Sequence, residues 1–270
     1  MTDTPDSVEK HDTVGENVTV AAADGDAEAY LVRPASDGPD GENPDGDRPG
    51  VLFIIDAIGL RPQTRRMADR IASWGYVVLV PNVFYRWGSA EETSPDDELL
   101  DAESREEFFS VAMPRVHALT ADLAEPDLSA YIDALKATPG VSKGPIGVTG
   151  YCMGGKLALL AAATRPDDVA ALGMFHTGGL VIQSSDSPHL RLANLDAQVL
   201  AVHADRDRSL PPEAIAQFEH ALITAGVTHS ATVYPGAQHG YTMADTAVYN
   251  HDASEYHFTE LRKLFAHTLH

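Results

Sequence analysis

Three residue types on this chain can together make and break an acyl bond. Cys152 stands in Gly150-Tyr151-Cys152-Met153-Gly154-Gly155, a pair of acids in Asp205-Arg206-Asp207, and His239 in Pro235-Gly236-Ala237-Gln238-His239-Gly240. A thiol attacks a carbonyl as its thiolate, an imidazole takes and returns the proton, and a carboxylate orients the imidazole and stabilises its charged form. Taken singly the signals are weak. Short G-x-C-x-G strings arise by chance, and an isolated cysteine is commonly a small hydrophobe in a core.

The elements that must position these groups are legible as apolar runs. Residues 146–149 read as a strand, and the alanine- and leucine-rich run from Lys156 reads as a helix. Cys152 therefore lies at the tip of a strand–turn–helix, where a strained residue needs small neighbours so that strand and helix can close together. The two aspartates follow a strand at 199–203, and His239 follows one at 230–234. Each group thus falls at a strand's carboxyl end, where open parallel sheets place ligands.

The remaining pattern extends the same architecture. Strands are expected at 17–22 and 27–34 as an antiparallel pair across Asp24-Gly25, then at 51–55, 76–80 and 169–175. Helices are expected at 62–74, in short form near 103–111, over 116–137 with an interruption at Pro126, at 211–225 and at 246–269. Alternating β and α runs predict one mainly parallel sheet with helices on both faces, hence an α/β protein. Residues 1–16 are polar and acidic and read as a frayed terminus, with a single domain over 17–270. Residues 35–49 are packed with Asp, Gly and Pro and read as a solvated loop within that domain.

Composition narrows the function. Asp and Glu number 40 against 19 Lys and Arg, a formal charge of −21. Such a chain repels phosphate backbones and anionic lipid, so nucleic acid and membrane are excluded as expected partners. Acid spread along the chain, with little lysine, predicts an acidic, salt-adapted surface. Cys152 is the one cysteine, so no intrachain disulfide can form. No apolar run is long enough to span a membrane and no signal-like segment opens the sequence, so a cytoplasmic setting with a reduced thiol is expected. The 12 histidines show no metal-ligand spacing. Neither metal nor cofactor is expected.

Nucleophile, acid and histidine in that chain order resemble the triad of the α/β-hydrolase fold. More narrowly, the chain resembles the dienelactone hydrolase family, whose elbow reads G-[YF]-C-x-G-G. The likeness runs from about Ala27 to near the end. It includes Ile54-Ile55-Asp56-Ala57-Ile58-Gly59, Ala72-Ser73-Trp74-Gly75-Tyr76, Pro81-Asn82-Val83-Phe84-Tyr85-Arg86, Asp207-Arg208-Ser209-Leu210-Pro211 and Tyr234-Pro235-Gly236-Ala237-Gln238-His239.

The resemblance implies roles residue by residue. The family acid precedes a proline by four positions, which selects Asp207 over Asp205 and leaves Asp205 a turn or surface carboxylate. Oxyanion donors are expected at the N–H groups of Met153, which follows the nucleophile, and of Ala57, which matches the family's second donor. Asp56 stands where the family has a glutamate that activates the nucleophile; a loop-capping role is the alternative. Arg86 matches an arginine that can hold a substrate carboxylate, with Tyr85 beside it, and a surface salt bridge is the alternative. The family's second carboxylate-binding arginine falls at Met243, which implies a less anionic or larger acyl substrate. His176 is a possible pocket residue or a partly exposed packing histidine, and Tyr85, Trp87, Phe108 and Phe109 are possible wall or core. The expected function is cysteine-dependent hydrolysis of small-molecule esters or lactones by a monomer or small homo-oligomer. A thioesterase or acyltransferase using the same triad, or a non-catalytic ligand-binding protein, are the alternatives.

Overall fold

Eight strands form one sheet in a computed structural model that describes residues 12–35 and 47–269. The strands are β1 (Thr13–Ala22), β2 (Gly25–Pro34), β3 (Gly50–Ile54), β4 (Val77–Pro81), β5 (Ile146–Tyr151), β6 (Val169–Phe175), β7 (Gln198–Arg206) and β8 (His229–Gln238). Their order is β1-β2-β4-β3-β5-β6-β7-β8, antiparallel in the two pairings that involve β2 and parallel from β4 to β8. This is the α/β-hydrolase architecture, with β5 at the middle of the parallel part. Every residue of β3, β4 and β5 is buried, which is why these strands read as continuous apolar runs rather than alternating ones.

Helices cover both faces. α1 (Pro62–Ala72) and α6 (His251–Thr268) pack on one, joined by Trp74 edge-on to Phe258 at 6.0 Å and by the Arg70–Glu255 ion pair. α3 (Ala121–Ala137) and α4 (Met153–Thr164) pack on the other, with α5 (Pro212–Ala225) near the short 3-10 helix at Pro188–Asn194 that α4 also touches. Gly226, left-handed at φ 71°, ends α5.

Three expectations need correction. Thr13–Glu16 are not frayed but belong to β1, paired along its full length with β2. The rest of the acidic terminus, and most of the acidic loop, lie outside the described residues. The short helix near 103–111 is a 17-residue helix, α2 (Ala102–Ala118). The break that was expected at Pro126 comes earlier, at Leu119–Thr120, and Pro126 sits inside α3 as Pro114 sits inside α2. A proline removes one helical hydrogen bond but does not dictate which residue starts the next helix. Tertiary packing does that here: Arg115 of α2 is buried, stacks on Phe84 and donates to the Thr93 carbonyl at 2.6 Å. It thereby lays α2 across the carboxyl end of the sheet.

Candidate active site

The elbow is built by close approach. Cys152 has φ 56° and ψ −123°, a conformation disfavoured for any residue with a side chain and costing about 1–3 kcal/mol. A Cβ on Gly150 would lie 2.1 Å from the Gly154 carbonyl oxygen, and one on Gly154 would lie 2.3 Å from that of Ile55. Only glycines let α4 begin directly against β5 and β3. α4 then begins directly after the sulphur, and the Met153 N–H is close enough to stabilise the thiolate.

β7 and β8 deliver the other two members. His239 Nε2 lies 3.0 Å from Cys152 Sγ, and its Nδ1 lies 2.7 Å from Asp207 Oδ2. The other Asp207 oxygen accepts from the Ser209 N–H at 2.8 Å and from its hydroxyl. These bonds fix the carboxylate's orientation, so the imidazole it holds is aimed as well. Asp205 instead accepts from the Gly236 N–H at 2.9 Å and braces the β8 turn.

Charges in this row support one another. Burial pushes the Cys152 thiol up, but the positive imidazole and its hydrogen bond outweigh that, so the net shift is downward; Asp56 opposes it. Burial lowers His239, yet the thiolate and Asp207 hold it above its ordinary 6.5, at about 10. Burial raises Asp207, and the bond to His239 brings it below the ordinary carboxylate value. All three directions favour thiolate, imidazolium and carboxylate in contact.

The loop that carries the expected oxyanion donor Ala57 is shaped by Asp56. Its carboxylate accepts from the Ile58 N–H at 3.0 Å and its carbonyl from the Gly59 N–H. The Ala57 N–H has no hydrogen bond among the described residues, and Ala57 lines the cavity with Cys152 and Met153. Asp56 itself is held by Arg61 at 2.7 Å, and the same guanidinium holds Asp245 at 2.5 Å. The structure thus gives Asp56 the bonds of a loop cap and a buried ion pair. It forms no hydrogen bond to the thiol among the described residues, and its reach to the sulphur is by charge.

Arg86 and Tyr85 are not brought to the cleft. Arg86 forks onto the buried Asp127 at 2.5 and 3.2 Å, pairs with Asp24 at 2.7 Å and lies over the Tyr85 ring. The Tyr85 hydroxyl donates to the same Asp127. Together they tie α3 to the β1–β2 turn. Of the aromatic residues considered for a wall, Phe109 alone lines the cavity.

What the sequence did not single out is Arg105. It projects from α2 into the cavity, over the Phe109 ring at 4.8 Å, and attracts the Cys152 thiolate. Burial lowers its pKa. Its one sequence signal was an arginine in an otherwise acidic segment (Glu103, Glu106, Glu107). The cavity holds about 1090 Å³ and opens to solvent. A small annex behind Cys152 is lined by Asp56, Arg105, His176, Met243 and Thr246. His176 is fully buried there rather than partly exposed, with Nε2 bonded to the Thr242 hydroxyl at 2.7 Å. Burial and the neighbouring His239 charge push its pKa well down, so it is neutral. Among the described residues no cluster of His, Cys, Asp and Glu could hold a metal, and no helix is long and apolar enough to cross a membrane.

Known proteins agree with this architecture. The model of the dienelactone hydrolase family matches residues 29–269. A carboxymethylenebutenolidase of Rhodococcus opacus is 29% identical over 206 residues, covering 76% of this chain and 74% of its own. The solved dienelactone hydrolase from Anabaena variabilis superposes with a TM-score of 0.66 at 20% identity, covering 96% of this chain and all of that one. A dienelactone hydrolase-like promiscuous phosphotriesterase from metagenomic libraries gives 0.72 at 20% identity, over 96% and 99%. At these identities the solved structures speak for the fold, while the family match spans nearly the whole chain. The chain is a hydrolase and belongs to the dienelactone hydrolase family.

Proposed function

We propose that the protein hydrolyses carboxylic esters or lactones through a Cys152–His239–Asp207 triad and an acyl-enzyme. The observation that carries this is His239 seated between the sulphur at 3.0 Å and the carboxylate at 2.7 Å. The Cys152 thiolate attacks the carbonyl carbon, and the N–H groups of Ala57 and Met153 hold the oxygen that becomes negative. The carbon–oxygen bond breaks, and the leaving alkoxide or enolate takes the proton from His239 Nε2. His239 then takes a proton from water, whose oxygen attacks the thioester and releases the acid and the thiolate. Arg105 favours the thiolate and can hold an acyl-side carboxylate, the task expected of Arg86. Asp56 acts on this sequence by shaping the loop that presents the Ala57 N–H.

Replacing Cys152 by alanine in a panel of activated esters and lactones tests this reading. Turnover is expected to vanish while the circular dichroism spectrum and melting temperature stay near those of the parent. Undiminished hydrolysis by that variant would overturn it.

A further inference from the structure

The cleft carries a charge opposite to that of the protein. Acids outnumber Lys and Arg by 40 to 19, yet the cavity is lined by Arg105, Lys156, Arg206 and Arg208 and by a single acid, Asp207. The Asp207 side chain is 2% exposed and its carboxylate is bonded to His239 and Ser209, with no bond to a cleft cation among the described residues. Several buried or half-buried arginines elsewhere are paired with acids: Arg61 with Asp56 and Asp245, Arg86 with Asp127, Arg165 with Asp133 and Asp168. The four cleft cations form no ion pair or hydrogen bond to a carboxylate among the described residues.

Their positions divide them. Arg105 stands beside the thiol at the annex. The other three line only the wide arm, on the side of the loops after β6 and β7. Arg206 and Arg208 bracket Asp207, and the Lys156 ammonium lies 3.8 Å from where a Gly179 Cβ would stand. The Gly179 N–H donates to the Ser209 carbonyl at 2.9 Å, so Lys156 and Arg208 belong to one lip. A leaving group must lie within reach of His239, which returns its proton, and Gly178 and Ser209, next in sequence to Gly179 and Arg208 of this lip, lie against the His239 ring. A cavity of about 1090 Å³ is also far larger than a small lactone needs.

We propose that Lys156, Arg206 and Arg208 form a subsite for phosphate groups carried on the leaving-group part of the substrate, a reading that rests on the triad proposed above. The substrate class is an acyl ester or thioester whose alcohol or thiol is phosphorylated. The phosphate itself does not react and departs with the alcohol or thiol. Two guanidinium forks and one ammonium suit a multiply charged phosphate better than a single carboxylate. Set in a strongly negative protein, the cationic lip favours the approach of such an anion.

Two matched pairs separate the thiol and alcohol sources: acetyl-coenzyme A against acetyl-pantetheine, and acetylated glycerol phosphate against acetylated glycerol. Para-nitrophenyl acetate serves as the neutral reference. In at least one pair the phosphorylated member is expected to show kcat/KM about tenfold or more above its partner, mainly through KM. Lys156→Gln/Arg208→Gln should bring that ratio close to one, and Arg206→Gln alone should lower it by a smaller step. Inorganic pyrophosphate should compete with the neutral ester in the parent and lose that effect in the double variant. A parent that hydrolyses the neutral ester through Cys152, but shows no preference in either pair and no inhibition by pyrophosphate, overturns the subsite. A preference that survives both variants overturns the residues assigned. If turnover of the neutral ester survives Cys152→Ala, the triad reading fails instead. Calorimetric titration of the parent and double variant with pyrophosphate then decides the subsite alone, and equal or absent binding overturns it.

Discussion

Two rows of charge near the same sulphur share a plan: a cation between two anions. In one, His239 sits between Asp207 and Cys152; in the other, Arg61 sits between Asp56 and Asp245. The difference is in what the cation can do. Burial alone would lower the Arg61 pKa, but the charges of Asp56 and Asp245 hold it above its ordinary value, so it keeps its proton at any working pH. An imidazole gives its proton up, and the thiolate beside it can form a covalent bond. The histidine row is half-open, with the His239 side chain 25% exposed, whereas the Arg61 side chain is 3% exposed. On the proposed reading, one row moves a proton while the other fixes a loop, and the chemistry of the central cation, not the charge pattern, separates them.

That contrast can be broken from either side. Cys152→Ala should lower turnover by about 10⁶-fold, and Asp207→Asn by about 10⁴-fold. Steady-state kinetics against an activated ester checks both. Arg61→Met should do the reverse in kind: it strands two buried carboxylates and costs about 3–5 kcal/mol, read by urea unfolding. A variant that kept its stability and lost only activity would show the second row to be catalytic.

Smaller effects follow for pH and for Asp56. The thiol is held below its ordinary 9.0, so iodoacetamide should alkylate Cys152 at pH values where a free thiol is slow, and His239→Asn should move that profile upward. Asp56→Asn removes a charge that opposes the thiolate and should move the same profile slightly downward. For stability, the raised His239 contributes fully below its ordinary 6.5, and that contribution is lost as pH rises through about 10. The lowered Asp207 contributes above the ordinary 3.8 and loses this as pH falls through its folded value. Thermal melts of parent and His239→Asn should therefore converge on the alkaline side.

Much of the fold was legible from local pattern. The parallel strands are covered on both faces and so read as apolar runs, and the elbow read as strand–turn–helix because its glycines are forced by contacts within a few residues. Boundaries were less accurate where an edge strand is polar, as at Thr13–Glu16, half-exposed or exposed yet fully paired. The length of α2 was missed for a related reason: few of its residues are buried, so it has no apolar stripe to announce it. Arg86, assigned by position in a motif, was drawn instead to Asp127, 41 residues along the chain. Arg105 carried no motif at all.

The sequence by itself determined the order of strands and helices, the strained turn that presents Cys152, and the three residue types at strand ends. These depend on neighbours in the chain and on burial, which periodicity records. Tertiary structure alone decided which arginine faces the thiol, that Arg61 joins Asp56 to the distant Asp245, and that four cations of an acidic protein line its cleft. Those outcomes depend on pairings across tens to nearly two hundred residues, where each charge takes the partner the fold puts within reach.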